Sequence, residues 1–448
     1  MTDLRRKVGR KAISTSTKTS RQSSRANSRA ASEDEGVGSD GDWSVASNET
    51  VDSVTMDPDI SFQRDWDQDL LEAIERLIER KGSSTQGREE LLCKIVRIMS
   101  LKYTSSTLEG READLAEASL RCLSYARTDK ESSYASRSLS LLALTKPSFS
   151  ALYDMTAPSL RKQITNSPSI KIKRACLQAL GAIAFFCASA YEMEAVMGFL
   201  LEAIESDGYT LESGGEESVV IGAIEAYAFL LSSVDEPEDV VQQATPILVD
   251  QLEAGDVGVR MAAGLAIALI YELDEEINSD DDTHRQGPYY NVHLLTTLLA
   301  QLSTSSNKKM SKVHRRTQHS SFRDILATVS NPSGSAPYST LKFGNTTYAI
   351  DSWTKAARLQ YLRNILTHGF HVHFSKNEAV RDCLEYHGGV PGDNSSDDSD
   401  NDSVASSHEV RARINKEMKR MQDDRVRHDR SRSGKGMQRE WGNGYDDD

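Results

Sequence analysis

Three Ala-rich segments recur along the middle of the chain at nearly constant spacing. "ACLQALGAIAFF" (175–186), "VVIGAIEAYAFL" (219–230) and "MAAGLAIALIYE" (261–272) align without gaps, and their starting positions lie 44 and 42 residues apart. Each segment is predicted to form a helix that can pack against neighbours on several sides. A helical unit that recurs about every 40 to 47 residues cannot bury its apolar face alone, so the period predicts a stack of similar units.

Helical patterns also precede the repeat, and convincing alternating strands are lacking there. The stretches 68–81, 88–103 and 111–126 each place apolar residues at helical spacing, with charged residues on the other face. Further helical stretches continue to about Leu302, joined by short breaks rich in Gly, Ser, Pro or Asp. The pattern favours armadillo or HEAT-type repeats, whose stacked helix pairs leave an extended concave face for partners. An irregular all-α domain whose Ala-rich helices coincide by composition is the alternative.

A different pattern begins after residue 305. "SSFRDILATVS" predicts a helix opened by Ser320 or Ser321. The segment 339–350 has β-branched and aromatic residues on both sides of Gly344-Asn345, as a β-hairpin would.

The end of this region alternates between predicted helix and predicted strand. Asp351 is the expected cap of a helix that stops at Gly369, and "FHVHF" (370–374) alternates briefly as a strand does. "KNEAVRDCLEYHGG" predicts a last helix, which Gly388-Gly389 ends. These elements indicate a small α+β module after the helical array.

The predicted fold is therefore mainly α, an armadillo/HEAT-like α-solenoid followed by a small α+β C-terminal module, with disordered charged tails. Both tails have too little apolar surface to offset the entropy of ordering. The predicted domains are a basic-then-acidic arm (1–60), the repeat domain (61–305), the α+β module starting with a basic strip (306–390), an acidic Ser-rich linker (391–406) and a basic, partly helical tail (407–448).

The first thirty residues are basic and Ser/Thr-rich, with Asp3 as the sole acid. This composition also fits a mitochondrial transit peptide. "RRKVGRK" (5–11) fits a nuclear-import or nucleic-acid patch equally well. A plain disordered arm is favoured over both. No apolar stretch reaches the roughly 18 residues of a membrane span, so no membrane partner is expected.

Basic residues are concentrated in two places, although the chain carries a formal net charge of −14. Residues 308–323 contain no acid, and basic residues outnumber acids in the tail from 411 to 439. Screening limits an exposed patch to about 8 Å of influence, so a local basic segment can bind RNA despite remote acids. The candidate RNA-binding residues are Lys308, Lys309, Lys312, Arg315, Arg316, Arg411, Arg413, Lys416, Lys419, Arg420, Arg425, Arg427 and Arg430.

A solvated charged face is the plain alternative for these basic runs. The nearby aromatics Phe322, Tyr348 and Trp353 could stack on bases, but core packing explains them more simply.

Catalytic and metal chemistry find little support in the sequence. The region 368–387 holds four histidines and Cys383, but no pair has the spacing of a structural zinc site. Cys383 and His387 lie one helical turn apart without an identifiable orienting acid or oxyanion loop. The five cysteines are scattered and odd in number, which is typical of reduced thiols in an intracellular protein. We expect neither an enzyme nor a cofactor, metal or small-molecule substrate.

Four motifs carry a family resemblance. "HSSFRDIL", "LKFG", "IDSW" and "HFSKNEAVRDCLE" occur in the order and spacing typical of interferon-related developmental regulators, which the chain resembles from about residue 60 to about 390. The resemblance implies an armadillo-like helical domain before a characteristic C-terminal module. The chain differs from the animal pattern in its long acidic linker and its extra C-terminal residues.

The resemblance implies two activities, neither of them catalytic. Members occupy translationally idle ribosomes and place a C-terminal helix in RNA-lined channels. Members are also described as transcriptional co-regulators that bind protein partners in the nucleus. The leading hypothesis is a ribosome-binding factor that represses translation, with rRNA and ribosomal proteins as partners and a cytoplasmic location. The alternative is a nuclear co-regulator that acts as a helical-repeat scaffold for protein partners.

Overall fold

The computed structural model describes residues 65–79, 84–278, 287–304, 312–332, 339–343 and 346–388. The predicted arm (1–60), acidic linker (391–406) and basic tail (407–448) lie outside these ranges. Within them the chain forms fifteen α-helices: α1 (Trp66–Glu79), α2 (Thr85–Leu101), α3 (Glu112–Ser124), α4 (Asp129–Thr145), α5 (Ala151–Asn166), α6 (Ile170–Cys187), α7 (Ala190–Glu205), α8 (Glu217–Leu231), α9 (Glu238–Gln251), α10 (Val257–Asn278), α11 (Val292–Thr304), α12 (Lys312–Ser330), α13 (Trp353–Leu366), α14 (Phe370–Lys376) and α15 (Glu378–Cys383).

The helices before α13 pack in tandem and form two layers. The even-numbered helices from α2 to α12 lie side by side, each contacting the next, and form what we call the central layer. The odd-numbered helices from α1 to α9 pack on it, with α1 against α3, α3 against α5 and α7 against α9; we call these five helices the outer layer. The predicted mainly α, solenoid-like architecture is confirmed. No helix among the described residues is long and apolar enough to cross a membrane.

The three Ala-rich segments all lie in the central layer, in α6, α8 and α10. Almost every residue of α8 is buried, because the helix has neighbours on both sides within its layer and on both faces. Small side chains such as Ala223 and Ala226 allow the neighbouring helices to approach closely. The Ala-rich repeat in the sequence therefore marks the central-layer helices that are surrounded by other helices.

Polar contacts hold the N-terminal ends of neighbouring central helices together. The guanidinium of Arg88 on α2 forms a buried ion pair with Glu131 on α4. The hydroxyl of Ser169, which immediately precedes α6, donates to Asp129 at the start of α4 over 2.8 Å. Helices α2, α4 and α6 consequently run parallel, and their first turns share one edge of the molecule.

The predicted hairpin is confirmed. Strands β1 (Ser339–Phe343) and β2 (Thr346–Ile350) pair antiparallel, with Ser339 opposite Ile350 and Phe343 opposite Thr346. Tyr348 is buried, and its hydroxyl donates to the backbone carbonyl of Leu384.

Five local predictions are wrong. Helix α13 ends at Leu366 and not at Gly369, and α15 ends at Cys383, before Gly388-Gly389. Helix α12 begins at Lys312, so Ser320 and Ser321 lie inside it and do not cap it. Ser352, not Asp351, caps α13, because its hydroxyl accepts from the Lys355 backbone N–H over 3.0 Å. "FHVHF" is not a strand but the start of α14.

A 3-10 turn at Thr367–Gly369 links α13 directly to α14. Phe370 and Phe374 are four residues apart and share one buried face of α14, because residues at this spacing are neighbours on the surface of a helix.

Helices α13 to α15 turn back across the central layer. The principal contacts of α13 are with α8, α10, α4 and α2, while α14 contacts α2 and α15 contacts α4. Gly369 lies so close to α2 that a Cβ placed on it would come within 1.6 Å of the Ser100 carbonyl oxygen. The chain's own C-terminal helices therefore lie across the central layer between α2 and α10.

Candidate nucleic-acid interface

The structure describes only part of the predicted RNA-binding set. Lys312 is the first residue of α12, with its side chain outside the described part, and Arg315 and Arg316 follow in the first turns. The remaining candidates lie outside the described residues, and their role stays a prediction: Lys308, Lys309, Arg411, Arg413, Lys416, Lys419, Arg420, Arg425, Arg427 and Arg430.

The described part of the basic strip occupies the exposed face of α12. Arg316, Ser320, Arg323 and Ala327 are exposed at intervals of three or four residues, so they form one stripe along the helix. The two arginines are seven residues apart, which places them about 10 Å from each other along the axis. Arg315 is half-buried beside this stripe.

The opposite face of α12 is anchored in the core. Phe322 and Ile325 are fully buried, and the helix packs against α10 and α11. The indole N–H of Trp353 on α13 donates to the hydroxyl of Thr328 over 2.9 Å. Phe322 and Trp353 are therefore core residues, as the simpler interpretation expects, and neither is available to stack on a base. This anchoring fixes the direction in which the exposed face of α12 points.

One acidic group lies on α12 among these cations. Asp324 is half-buried, and burial raises the pKa of its carboxyl while the charge of Arg323 lowers it. The charge of Arg323 beside it partly offsets this carboxylate.

Charge is also segregated along the solenoid, a feature that the sequence shows but that inspection of short basic runs misses. Residues 84–174 contain fifteen Lys and Arg against nine Asp and Glu. Residues 175–259 contain sixteen Asp and Glu and no Lys, Arg or His. The first half of the repeat region is therefore the half that can face polyphosphate, and the second half repels it.

The histidines and Cys383 do not form a reactive site. Cys383 is buried, and burial raises the pKa of its thiol to about 12, so the nucleophilic thiolate is not populated near neutral pH. His387, which lies one helical turn away in the sequence, is exposed. No group of three His, Cys, Asp or Glu within the described ranges is arranged to hold a metal ion.

His373 has a packing role. Its ring is fully buried, with Nε2 2.9 Å from the Met99 carbonyl oxygen on α2 and Nδ1 3.4 Å from the amide nitrogen of Asn377. Because a carbonyl can only accept, Nε2 carries the proton and Nδ1 accepts. Burial lowers the pKa of this imidazole, which keeps it neutral.

Glu272 and Arg358 hold α13 in place. The carboxylate of Glu272 on α10 accepts from the backbone N–H groups of Trp353 and Thr354 over 2.7 and 2.8 Å, at the N-terminus of α13. Burial is the largest influence on this carboxyl and raises its pKa, while these hydrogen bonds lower it. Arg358 donates to the hydroxyl of Ser232 over 3.0 Å and to the carboxylate of Glu385 over 2.9 Å.

Comparison with known proteins identifies relatives over most of the chain. A model of the interferon-related developmental regulator family matches residues 39–330. An uncharacterised protein of Schizosaccharomyces pombe is 30% identical over 354 residues, covering 75% of this chain and 79% of that protein. Human interferon-related developmental regulator 1 is 25% identical over 341 residues, and mouse interferon-related developmental regulator 2 is 27% identical over 339. These two matches cover 73% and 72% of this chain, and 74% of each relative.

The family model covers the first of the four sequence motifs that carry the family resemblance and ends before the other three. "HSSFRDIL" lies inside the range 39–330, and the three later motifs follow it.

Proposed function

The chain belongs to the interferon-related developmental regulator family, and from this membership we propose that it is a non-catalytic factor that binds translationally idle ribosomes and represses translation. The structural observation that supports the proposal best is the exposed stripe of α12. Arg316 and Arg323 point to solvent from a helix whose other face is anchored in the core. Because the helix is already ordered, phosphate binding by these cations costs side-chain entropy but no backbone ordering.

In this proposal the basic residues 308–316 and the exposed stripe of α12 bind the protein to rRNA. The basic tail (407–448) enters an RNA-lined channel. A tail of this composition orders on its partner, because its apolar stripe is too thin to stabilise a helix alone. Once ordered in the channel, it excludes mRNA or tRNA. The acidic half of the solenoid faces away from the RNA, since like charges repel.

The test is sedimentation of lysates from growing and starved cells on sucrose gradients, followed by detection of the full chain. We expect migration with single ribosomes that increases on starvation and is abolished by a high-salt wash or RNase treatment. A variant in which Arg411, Lys416, Lys419 and Arg420 are replaced by Glu is expected to leave the ribosome fractions. If this variant sediments as the wild type does, the role proposed for the tail is wrong.

The nuclear co-regulator hypothesis makes the opposite prediction. It expects a protein that stays at the top of the gradient, enters the nucleus through "RRKVGRK" (5–11) and keeps its partners after nuclease treatment. Because α13 to α15 lie across the central layer, this hypothesis needs protein partners that bind another surface of the repeats.

A further inference from the structure

A group of exposed cations collects at one edge of the solenoid, far along the chain from α12. Arg121 lies in the last turn of α3, Arg127 in the α3–α4 connection, Lys130 in the first turn of α4 and Lys171 in the first turn of α6. All four are exposed. We call these four residues the basic edge.

The fold brings the basic edge together from positions fifty residues apart. The N-terminal ends of α4 and α6 are adjacent, as the hydrogen bond between Ser169 and Asp129 shows. Packed helices lie about 8 to 10 Å apart, so Lys130 and Lys171 can contact phosphates of the same strand. The short connection that ends at Thr128 places Arg127 next to them.

Only one acidic group at this edge is neutralised by an ion pair, and the exposed carboxylates of Asp129 and Glu117 partly offset the four cations. Glu131 is fully buried in its ion pair with Arg88, and Asp129 accepts from Ser169. Glu89 accepts a hydrogen bond from Thr128. In contrast, the four cations form no ion pair within the described part of the chain; Arg121 donates only to the Glu117 carbonyl, over 3.4 Å.

Two further features suit a nucleic acid. The ring of Tyr125 is 71% exposed and is not among the side chains packed against the core, and the residue lies between Arg121 and Arg127 in the sequence. An exposed tyrosine among cations is the arrangement with which proteins stack the bases of single strands. The first turn of α6 contains no acidic residue and has no side-chain cap, so its N-terminus adds to the positive potential beside Lys171.

We propose that the basic edge is a second RNA-binding surface, where the four cations bind phosphates of single-stranded RNA and Tyr125 stacks on a base. The inference rests on the proposed ribosome-binding function and adds a contact that neither α12 nor the tail supplies. The charge segregation supports it, since the basic edge belongs to the half of the repeat region with excess cations and α7 to α9 carry only acids.

The experiment measures binding of the full chain to a fluorescein-labelled single-stranded RNA of about 20 nucleotides by anisotropy, at KCl concentrations between about 50 and 200 mM. The test variant combines Arg127→Gln, Lys130→Gln and Lys171→Gln. The control variant combines Arg76→Gln, Lys102→Gln and Lys376→Gln, which removes the same charge from α1, the end of α2 and the end of α14. Thermal unfolding of both variants verifies that they are folded.

We expect the test variant to bind RNA at least about tenfold more weakly, with a salt slope that falls by about 0.7 for each phosphate that the variant no longer neutralises. The control variant is expected to bind as the wild type does. Tyr125→Ala is expected to weaken binding about fivefold or more, while Tyr125→Phe retains it, because stacking needs the ring and not the hydroxyl.

Three results would overturn the proposal, and they differ in whether the proposed ribosome-binding function also fails. If the test variant binds RNA like the control variant, the basic edge is not an RNA surface, and the proposed function stands. If the test variant leaves the ribosome fractions but keeps its RNA affinity, the edge contacts an acidic protein instead. If the wild type binds neither this RNA nor ribosomes, the proposed function fails together with this inference.

Discussion

The hydroxyl of Tyr361 on α13 donates a 2.8 Å hydrogen bond to the backbone carbonyl of Gln178 on α6. The ring of Tyr361 stacks on Phe229 of α8, with centroids 4.1 Å apart, and Phe229 stacks in turn on Phe185 of α6 at the same distance. Three aromatic rings therefore connect α13 to the middle of the solenoid. The C-terminal helices belong to the same packed core as the repeats.

Gly181 permits this contact, and its replacement tests it. A Cβ at Gly181 would come within 2.3 Å of the Tyr361 hydroxyl. An Ala normally stabilises a helix interior relative to Gly by about 1 kcal/mol. Here we expect Gly181→Ala to lower the free energy of unfolding by about 1 to 3 kcal/mol, because the added methyl group displaces α13. Urea denaturation measures the change.

Gly198 provides the matched control for that substitution. It lies in α7, and a Cβ there would meet no atom within 4 Å. Gly198→Ala is expected to stabilise the protein by up to about 1 kcal/mol. Equal effects of the two substitutions would show that α13 does not press on α6.

Arg358 is predicted to be essential for holding α13 to α15. Its guanidinium joins Ser232, which follows α8, to the Cys383 carbonyl and the Glu385 carboxylate near α15. Lysine cannot reproduce this planar set of donors. We expect Arg358→Lys to lower the free energy of unfolding by about 1 to 3 kcal/mol and to increase amide hydrogen exchange in α13 to α15. Lys355→Met, which removes the ion pair with the exposed Asp351 but keeps an aliphatic side chain, should cost less than about 1 kcal/mol.

His373 is expected to make stability depend on pH. Burial lowers the pKa of its imidazole below the value in the unfolded chain, so the unfolded state binds more protons as the pH falls through the unfolded value near 6.5. The contribution of His373 is fully present above that value and is lost as the pH falls toward the folded-state pKa. Between about pH 7.5 and 5.5, His373→Gln should lose less unfolding free energy than the wild type does.

The control for this pH prediction is His387→Gln, since His387 is exposed. It should retain the pH dependence of the wild type. A His373→Gln variant with the wild-type pH profile would contradict the assignment.

Local patterns in the sequence predict the elements but not how the C-terminal helices dock. β-Branched and aromatic residues around Gly344-Asn345 identify the hairpin, and apolar periodicity identifies the first helices, because both are local properties. Periodicity misassigns residues 370–374, where five residues satisfy both the strand period and the i, i+4 spacing, and packing against α2 decides for the helix. The contact of Arg137 on α4 with the Ile365 carbonyl, 3.0 Å long, joins residues more than two hundred positions apart. No local signal encodes such a contact.

The candidate interface shows the same division. The strip at 308–323 is visible in the sequence because its cations are closely spaced along the chain. The exposed stripe on α12 can be identified only when the orientation of the helix relative to the core is known. The basic edge can be identified only when the packing of α4 against α6 is known. Dispersed cations that meet only in the fold are invisible to a search for charged runs.

The stripe on α12 leads to the last prediction, which separates charge from structure at the proposed interface. Arg316→Glu combined with Arg323→Glu should abolish co-sedimentation with ribosomes at physiological salt and leave the unfolding midpoint nearly unchanged, because both side chains are exposed and the buried face of α12 is untouched. The matched Arg316→Lys and Arg323→Lys variant should retain binding with a similar salt dependence, since lysine keeps the charge that phosphate contacts require. Retained co-sedimentation of the Glu variant would remove α12 from the interface. Failure of the Lys variant to bind would instead point to bidentate recognition by the guanidinium groups.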